Sequence, residues 1–541
     1  MTTAPATPSP LSGSVRNIVL FLADDLGYSD LRCFGGEIAT PNIDALASRG
    51  TKLTQFYNTA RCSPSRASLL TGLHPHQTGI GILTGSDGAV GYSGDLNRAG
   101  PTIAEMLKRS GYDTAVIGKW HLSASMREPS DSWPTRRGFD YFYGTLSGCG
   151  SFFDPQTLTR GETPIIDEAA AENYYYTDAI AAEAERYLLE PARQSSPFLL
   201  YVPFTAPHWP LHAPADLVAR YRGRFDAGWD TLREERVRRM RELGILSDAA
   251  VLSPRDPDEP AWSDVEEKEW YARRMEVYAA QVEAMDAAIG RVLSALRSAG
   301  RDDDTAVVFL SDNGASPEEI PHINGFEKVT EIFSPTTRSG EQVQLGNRPG
   351  IVPGPADTYA SYGRAWANVS NTPHRLYKKW VHEGGIAAPC VIALPERLEQ
   401  REIVRNPHQL VDLVPTLLDV VGVDAESVRM DSDLRLEGRS LLDELAGAKG
   451  SERTLFWEHV GNAAIRRGDV KLVRRWPEPW ELYHLDRDPS ELNDAIHEEP
   501  ALAEELLAAW AEWADRVGVV AFDRIVDLFR IRGLGPSDAA R

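Results

Sequence analysis

Ile18-Val19-Leu20-Phe21-Leu22 runs almost directly into Asp24-Asp25, and this pairing of an apolar run with a polar cluster just past its end recurs along the chain. Ala115-Val116-Ile117 leads to Lys119 and His121. Phe198-Leu199-Leu200-Tyr201-Val202 leads towards His208, and Ala306-Val307-Val308-Phe309-Leu310 leads into Asp312-Asn313. Unbroken β-branched and aromatic runs suit strands covered on both faces, as in a parallel sheet, and such sheets bind ligands beyond their carboxyl ends. Polar clusters far apart in sequence are therefore expected to meet at one site.

Between these strands the helices are legible. Pro101 opens a segment with Ile103, Met106 and Leu107 on one face and Gly111 at its end. From Met275 through Tyr278, Val282, Met285, Ile289, Val292 and Leu296, apolar residues return every three or four positions until Gly300, a stripe that reads as core packing. Pro317 to Asn371, rich in Gly, Pro, Ser, Thr and Asn, reads as a long surface excursion forming part of a substrate rim. After about Asp433 the pattern changes to short strands at Thr454–Trp457, Ala463–Ile465, Val470–Val473 and Trp480–Tyr483, followed by Leu502, Leu506, Leu507 and Trp510 at helical spacing. The expected organisation is a catalytic α/β domain at 15–435, a small antiparallel sheet with a packed helix at 436–520, and a tail at 521–541. In that tail Phe522, Ile525, Val526 and Phe529 either pack on their own domain or mediate oligomer contacts, so the oligomeric state stays open.

Composition narrows the function. With 541 residues and 42% hydrophobic content the chain can bury a large core and exceeds one ordinary domain. A formal net charge of -22 opposes nucleic acid and anionic membrane surfaces as partners. An anionic small molecule is still allowed, because salt confines that field to about 8 Å and local cations can dominate a pocket. Four scattered cysteines make neither a disulfide framework nor a closed zinc site. Met1 to Ser14 has no basic start and no apolar core, so a soluble, cytoplasmic protein is expected, and the sequon at Asn368 is read as chance.

The stretch richest in chemistry is Cys62-Ser63-Pro64-Ser65-Arg66, followed by Leu70-Thr71-Gly72. Ser63 suits a helix N-cap, Pro64 the first helical position and Gly72 the helix end. Cys62 is then expected at a helix N-terminus, where free N–H groups favour an anion and Arg66 adds a planar fork of donors. Asp24, Asp25, Asp312 and Asn313 offer only oxygen, which suits a hard divalent cation, calcium or magnesium. Lys119 and His121, two apart, face the same side if their segment is extended.

Together these motifs resemble the type I sulfatases, most closely the bacterial arylsulfatases, from about Asn17 to Val520. The resemblance implies an alkaline-phosphatase-like fold, with a large, mostly parallel sheet flanked by helices and a smaller C-terminal antiparallel sheet. It implies that Cys62 is converted to formylglycine by a dedicated maturase and that one calcium ion is held by Asp24, Asp25, Asp312 and Asn313. Gly118-Lys119-Trp120-His121-Leu122 carries the family's Lys and His that contact sulfate and the formylglycine hydroxyls, with Ser123 standing where a glycine is usual. Ala206-Pro207-His208-Trp209-Pro210 places His208 at the leaving-group oxygen. In Lys-x-x-x-x-Glu-Gly-Gly the lysine is Lys378, which makes Lys379 a solvated neighbour. His74 and His76 receive no catalytic role.

The implied reaction is hydrolysis of aryl, and by extension alkyl, sulfate esters through a covalent sulfo-formylglycine intermediate. Asp312 would deprotonate the attacking hydroxyl, His208 protonate the departing alcohol, and His121 take the proton that releases sulfate. The alternatives are a phosphomonoester or phosphonate monoester hydrolase, or an anion-binding protein whose Cys62 is never converted.

Overall fold

The structure is a computed structural model that describes residues 9–85, 91–320, 332–429 and 432–531, with side chains as far as Val526. Residues 321–331 of the expected rim, the Phe529 side chain and the tail beyond Ile531 lie outside the described residues.

Among these residues an 11-stranded mixed sheet forms the centre, in the order Ile403–Val404, Thr51–Tyr57, Ala387–Ala393, Thr305–Ser311, Asn17–Ala23, Phe198–Pro203, Asp113–Ile117, Tyr141–Thr145, Leu158–Arg160 and Thr163–Pro164, with His408–Gln409 also pairing on Thr51–Tyr57. All four apolar runs from the sequence are strands, and they lie side by side. Asn17–Ala23 pairs in parallel with Phe198–Pro203 on one side and Thr305–Ser311 on the other, and Asp113–Ile117 pairs in parallel with Phe198–Pro203. Each of the three runs at Asn17–Ala23, Phe198–Pro203 and Thr305–Ser311 is buried at every position, which is the pattern helices on both faces require. Parallel pairing puts their carboxyl ends, and so their polar clusters, at one edge.

Ala387–Ala393 enters this sheet antiparallel on both sides, and the register on Thr51–Tyr57 shifts between Ala388 and Cys390. Pro389 sits between them. It has no N–H to give to a ladder, so an interior strand can hold it only at such an irregularity.

The periodic stripe forms the helix Lys268–Ser298, 31 residues long, with Met275, Tyr278, Val282, Met285, Ile289, Val292 and Leu296 all buried in the main core. The excursion from Pro317 differs from expectation at its far end. Arg364–Ser370 is helical and buried from Ala365 onwards, with Trp366 fully enclosed, because that helix closes over the aromatic rings of Trp229, Trp262 and Phe225. Asn368 is buried too, which leaves no room for a glycan.

The C-terminal region is a four-stranded antiparallel sheet, Thr454–His459, Asn462–Arg467, Val470–Arg474 and Trp480–His484, covered by the helix Pro500–Val517. Leu506 is fully buried under that helix, whereas Leu507 points to solvent. The sheet does not stand apart. Leu455, Trp457, Ala464, Val473 and Tyr483 belong to the same apolar core as the large sheet. A buried ion pair crosses the same boundary, with Lys471 Nζ 2.7 Å from Glu383, while Glu491 of the C-terminal region lies 2.9 Å from the same ammonium. Phe522 and Ile525 pack on Ile82, Tyr92 and Val460, so the described start of the tail lies on its own chain. Among the described residues no helix is long and apolar enough to cross a membrane.

Candidate active site

Cys62 opens the helix Cys62–Thr71, in which every residue is buried. The cap differs from expectation: Arg61 occupies the N-cap position and the Ser63 hydroxyl has no hydrogen-bond partner. Ser65 takes over the local bracing, accepting from the Thr59 N–H at 3.1 Å and pairing with the Thr59 hydroxyl at 2.8 Å. Gly72 closes the helix as expected, with φ 68° and its N–H donating to Ser68. The Cys62 thiol lies in electrostatic reach of Lys119, Lys378, Asp24 and Asp312, and burial raises it above its ordinary range despite the two lysines. As a cysteine it is a protonated, poor nucleophile.

The strand-end carboxylates meet around Arg66. Its Nε and Nη2 donate to Asp312 Oδ2 at 3.2 and 2.9 Å, Nη1 donates to the Lys119 carbonyl at 3.0 Å, and Nη2 stands 3.6 Å from Asp24 Oδ1. The fork expected to hold an oxyanion is thus committed to the carboxylates. Lys119 Nζ donates to Asp24 Oδ2 at 2.5 Å, and Lys378 Nζ to Asp25 Oδ2 at 2.8 Å. Asn313 Nδ2 donates to Asp25 Oδ1 at 2.6 Å, and the Asp25 N–H to Asp312 Oδ1 at 3.2 Å. Three aspartates and three cations therefore interleave without solvent.

Two acceptors in this set, Asp24 Oδ1 and Asn313 Oδ1, are buried without any hydrogen bond. Buried acceptors left bare cost stability, so an oxygen-lined pocket with two of them fits a hard divalent cation. Asp24, Asp25 and His208 bring ligand atoms within 4.8 Å of one another, a grouping that adds His208 to the predicted four residues. Burial and the neighbouring Asp24 push Asp312 up to about 7, the cost of packing carboxylates together. Burial opposes ionisation of Asp25 as well, but Lys378 and His208 outweigh it and hold that carboxyl below its usual range.

His208 Nδ1 lies 2.6 Å from the Trp209 carbonyl, which requires the proton on that nitrogen and turns Nε2 towards Asp25 Oδ2 and Lys378 Nζ, each at 3.4 Å. Burial, together with Lys378 and Lys119, lowers His208 to about 4 against the pull of Asp25. His121 does reach the same cluster, but not along an extended segment: its φ is +54°. Burial and the cations Lys119, Arg66 and Lys378 keep it neutral, and its buried Nδ1 has no partner. Lys379 is not solvated. It is buried, with φ +91°, its N–H on the Ala60 carbonyl at 2.7 Å and its Nζ over the Trp380 ring at 5.3 Å. His74 and His76 lie on the C-terminal helix instead, edge-on to Trp513 at 5.1 and 6.2 Å, with His76 2.7 Å from Glu458.

Two neighbours, Glu318 and Arg61, escaped the sequence reading. Glu318 pairs with Arg61 at 3.1 Å, lies 3.8 Å from Lys378, and accepts from the Trp209 indole at 2.7 Å, so it ties the start of the long excursion to the cluster. A Ser-Pro-Glu-Glu run in a loop carries no signal of this; only the polar residues after an apolar strand did.

A family model described as Sulfatase matches residues 16–423, three quarters of the chain. The chain belongs to the sulfatase family. A second model, described as N-sulphoglucosamine sulphohydrolase, C-terminal, matches residues 373–510 of this sulfatase. It is 34% identical to an uncharacterized sulfatase of Schizosaccharomyces pombe, over 93% of this chain and 94% of that one. It is 32% identical to an arylsulfatase of Klebsiella aerogenes, over 75% of this chain and 87% of the relative. The alkaline-phosphatase-like fold recurs in the phosphonate monoester hydrolase of Agrobacterium radiobacter, with a TM-score of 0.55, 19% identity, and 93% of this sulfatase and 96% of that chain covered.

Proposed function

We propose that this sulfatase is a cytoplasmic arylsulfatase that hydrolyses sulfate esters to phenol or alcohol and inorganic sulfate, using formylglycine at position 62. Calcium would be held by Asp24, Asp25, Asp312 and Asn313 and would supply Lewis-acid polarisation of sulfate oxygens. The observation that carries this reading is the buried Cys62 side chain at the head of its helix, among two lysines and two carboxylates. A matured residue 62 supplies a hydrated aldehyde, one hydroxyl to attack sulfur and a second whose collapse frees sulfate without water attacking sulfur.

The remaining chemistry belongs to the side chains. Lys119 and Lys378, fixed on Asp24 and Asp25 and shielded from water, present donors to sulfate oxygens where electrostatics act strongly. Asp312, held by Arg66 within electrostatic reach of position 62, would accept a proton from the attacking hydroxyl. His208, with Nδ1–H held on the Trp209 carbonyl, turns Nε2 towards the departing oxygen and can deliver a proton to it only from the doubly protonated form, which the negative charge of a bound sulfate ester favours. His121, held neutral, accepts the proton from the second hydroxyl. All four cysteines are unpaired, as a reducing compartment allows.

The test has two parts. Peptide mass at position 62 of active protein is expected to show sulfur replaced by oxygen with two hydrogens lost; an intact thiol in fully active protein would refute the reading. Sulfate and phosphate esters of one phenol are expected to favour the sulfate. Chelation should abolish turnover, and calcium should restore it better than magnesium.

A further inference from the structure

Glu318 stands outside the oxygen set of Asp24, Asp25, Asp312 and Asn313, yet it reaches the same cluster. Its Oε1 lies 3.1 Å from Arg61 Nη1, its Oε2 accepts from the Trp209 indole at 2.7 Å, and the same oxygen is 3.8 Å from Lys378 Nζ. Arg61 is the N-cap residue directly before Cys62, and the Trp209 carbonyl fixes His208. One carboxylate thus meets the neighbour of position 62, the neighbour of His208 and a lysine of the anion site.

The charges of the cluster are matched one for one. Asp24, Asp25 and Asp312 face Arg66, Lys119 and Lys378, with every side chain at most 3% exposed. Glu318 and Arg61 add one further charge of each sign nearer the surface, at 30% and 16% exposure. Burial opposes ionisation of Glu318, but Lys378 and Arg61 outweigh it and hold the carboxyl well below its usual range, so its negative charge is fixed. A brace alone has no need of that charge, because a neutral amide oxygen would also accept from the indole and from Arg61. On the exposed side of an anion site, a carboxylate repels what the lysines attract.

We propose that Glu318 sets the charge of the anion site and selects esters that bring one negative charge over those that bring two; this rests on the sulfate-ester reading above. A sulfate monoester is a monoanion, whereas a phosphate monoester approaches a dianion above its second ionisation at about pH 6. Repulsion from a fixed carboxylate acts once on the first and twice on the second, so it weakens the competitor more than the substrate. At roughly 7 Å in a partly buried site, the second charge changes affinity about tenfold or more. Arg61, held on Glu318 and within electrostatic reach of position 62, moderates that repulsion.

The experiment measures inhibition of 4-nitrophenyl sulfate turnover by phenyl sulfate and by phenyl phosphate at about pH 8, where the phosphate ester is a dianion. It uses the full-length protein, Glu318→Gln, Arg61→Gln and the double variant. Glu318→Gln is expected to shift the ratio of the two inhibition constants at least about fivefold towards phosphate, Arg61→Gln to shift it away from phosphate, and the double variant to return it to within about twofold of the start. Either single variant that retains turnover gives the sign of the shift. Opposite shifts are a signature of charge, since loss of a brace would weaken both esters alike in both variants. A ratio that stays still, or that moves in the same direction in the two single variants, overturns the proposal, and so does loss of turnover in every variant. Absence of sulfate ester turnover in the unsubstituted protein sinks the reading beneath it.

Discussion

His208 illustrates how one side chain is prepared by its surroundings. Its Nδ1 is anchored on the Trp209 carbonyl, and its Nε2 is left facing Lys378 and Asp25. If it protonates the departing oxygen, the benefit depends on how badly that oxygen needs a proton. His208→Ala is expected to slow an alkyl sulfate by about 10²- to 10⁴-fold and a nitrophenyl sulfate far less; equal losses on both substrates would contradict the assignment. Cys62, Lys119, His121, His208, Asp312 and Lys378 could be chosen from sequence because each follows an apolar run or belongs to a distinctive motif. Glu318 and Arg61 could not. Their roles come from a chain reversal that brings position 318 onto position 61, and nothing local encodes it. The commitment of Arg66 to Asp312 was equally invisible, since sequence shows a fork of donors but not what fills it.

At the scale of elements, the reading worked where one physical rule dominated. Apolar runs became adjacent strands because both faces are covered, and the 3.6-residue stripe became the long buried helix. It was silent on Ala387–Ala393, where Pro389 argues against an interior strand and the irregular register accommodates it. It failed at Lys379 and His121, whose positive φ values break the local pattern that placed them. Close approach between strand ends is the controlling feature there. Gly118 has φ +138°, and a Cβ on it would meet the Pro203 carbonyl oxygen at 2.0 Å. Gly118→Ala should therefore displace the backbone that carries Lys119. The expected result is a loss of stability of about 1–3 kcal/mol in urea unfolding, together with a rise in KM for the sulfate ester. Unchanged unfolding would show that the strand ends can separate freely.

For the molecule as a whole, the two sheets behave as one body because charges are buried between them. Lys471 from the small sheet reaches Glu383 beside the lysine loop, and the Tyr57 hydroxyl donates to the same carboxylate at 2.7 Å. Burial alone would raise Glu383, but Lys471 and Arg466 outweigh it and hold it at about 2, below the ordinary 4.5. A carboxyl depressed on folding adds stability that is present above pH 4.5 and lost as pH falls towards 2. The urea midpoint of the protein should fall across that window, whereas Glu383→Gln should start lower at pH 7 by about 3 kcal/mol or more and vary less below pH 4.5. Parallel pH profiles for the two proteins would remove Glu383 as the source. Composition suggested a second unit, and the strands after Asp433 were readable; that the unit shares the main core was not, because long-range packing leaves no periodic trace.

The enclosure of Cys62 also sets an order of events in the life of the protein. No residue of its helix reaches the surface, so an enzyme that rewrites position 62 has no way in once the chain has closed. If position 62 is converted as proposed, that chemistry would have to be completed on a nascent or open polypeptide, and molecules that fold first would remain inert.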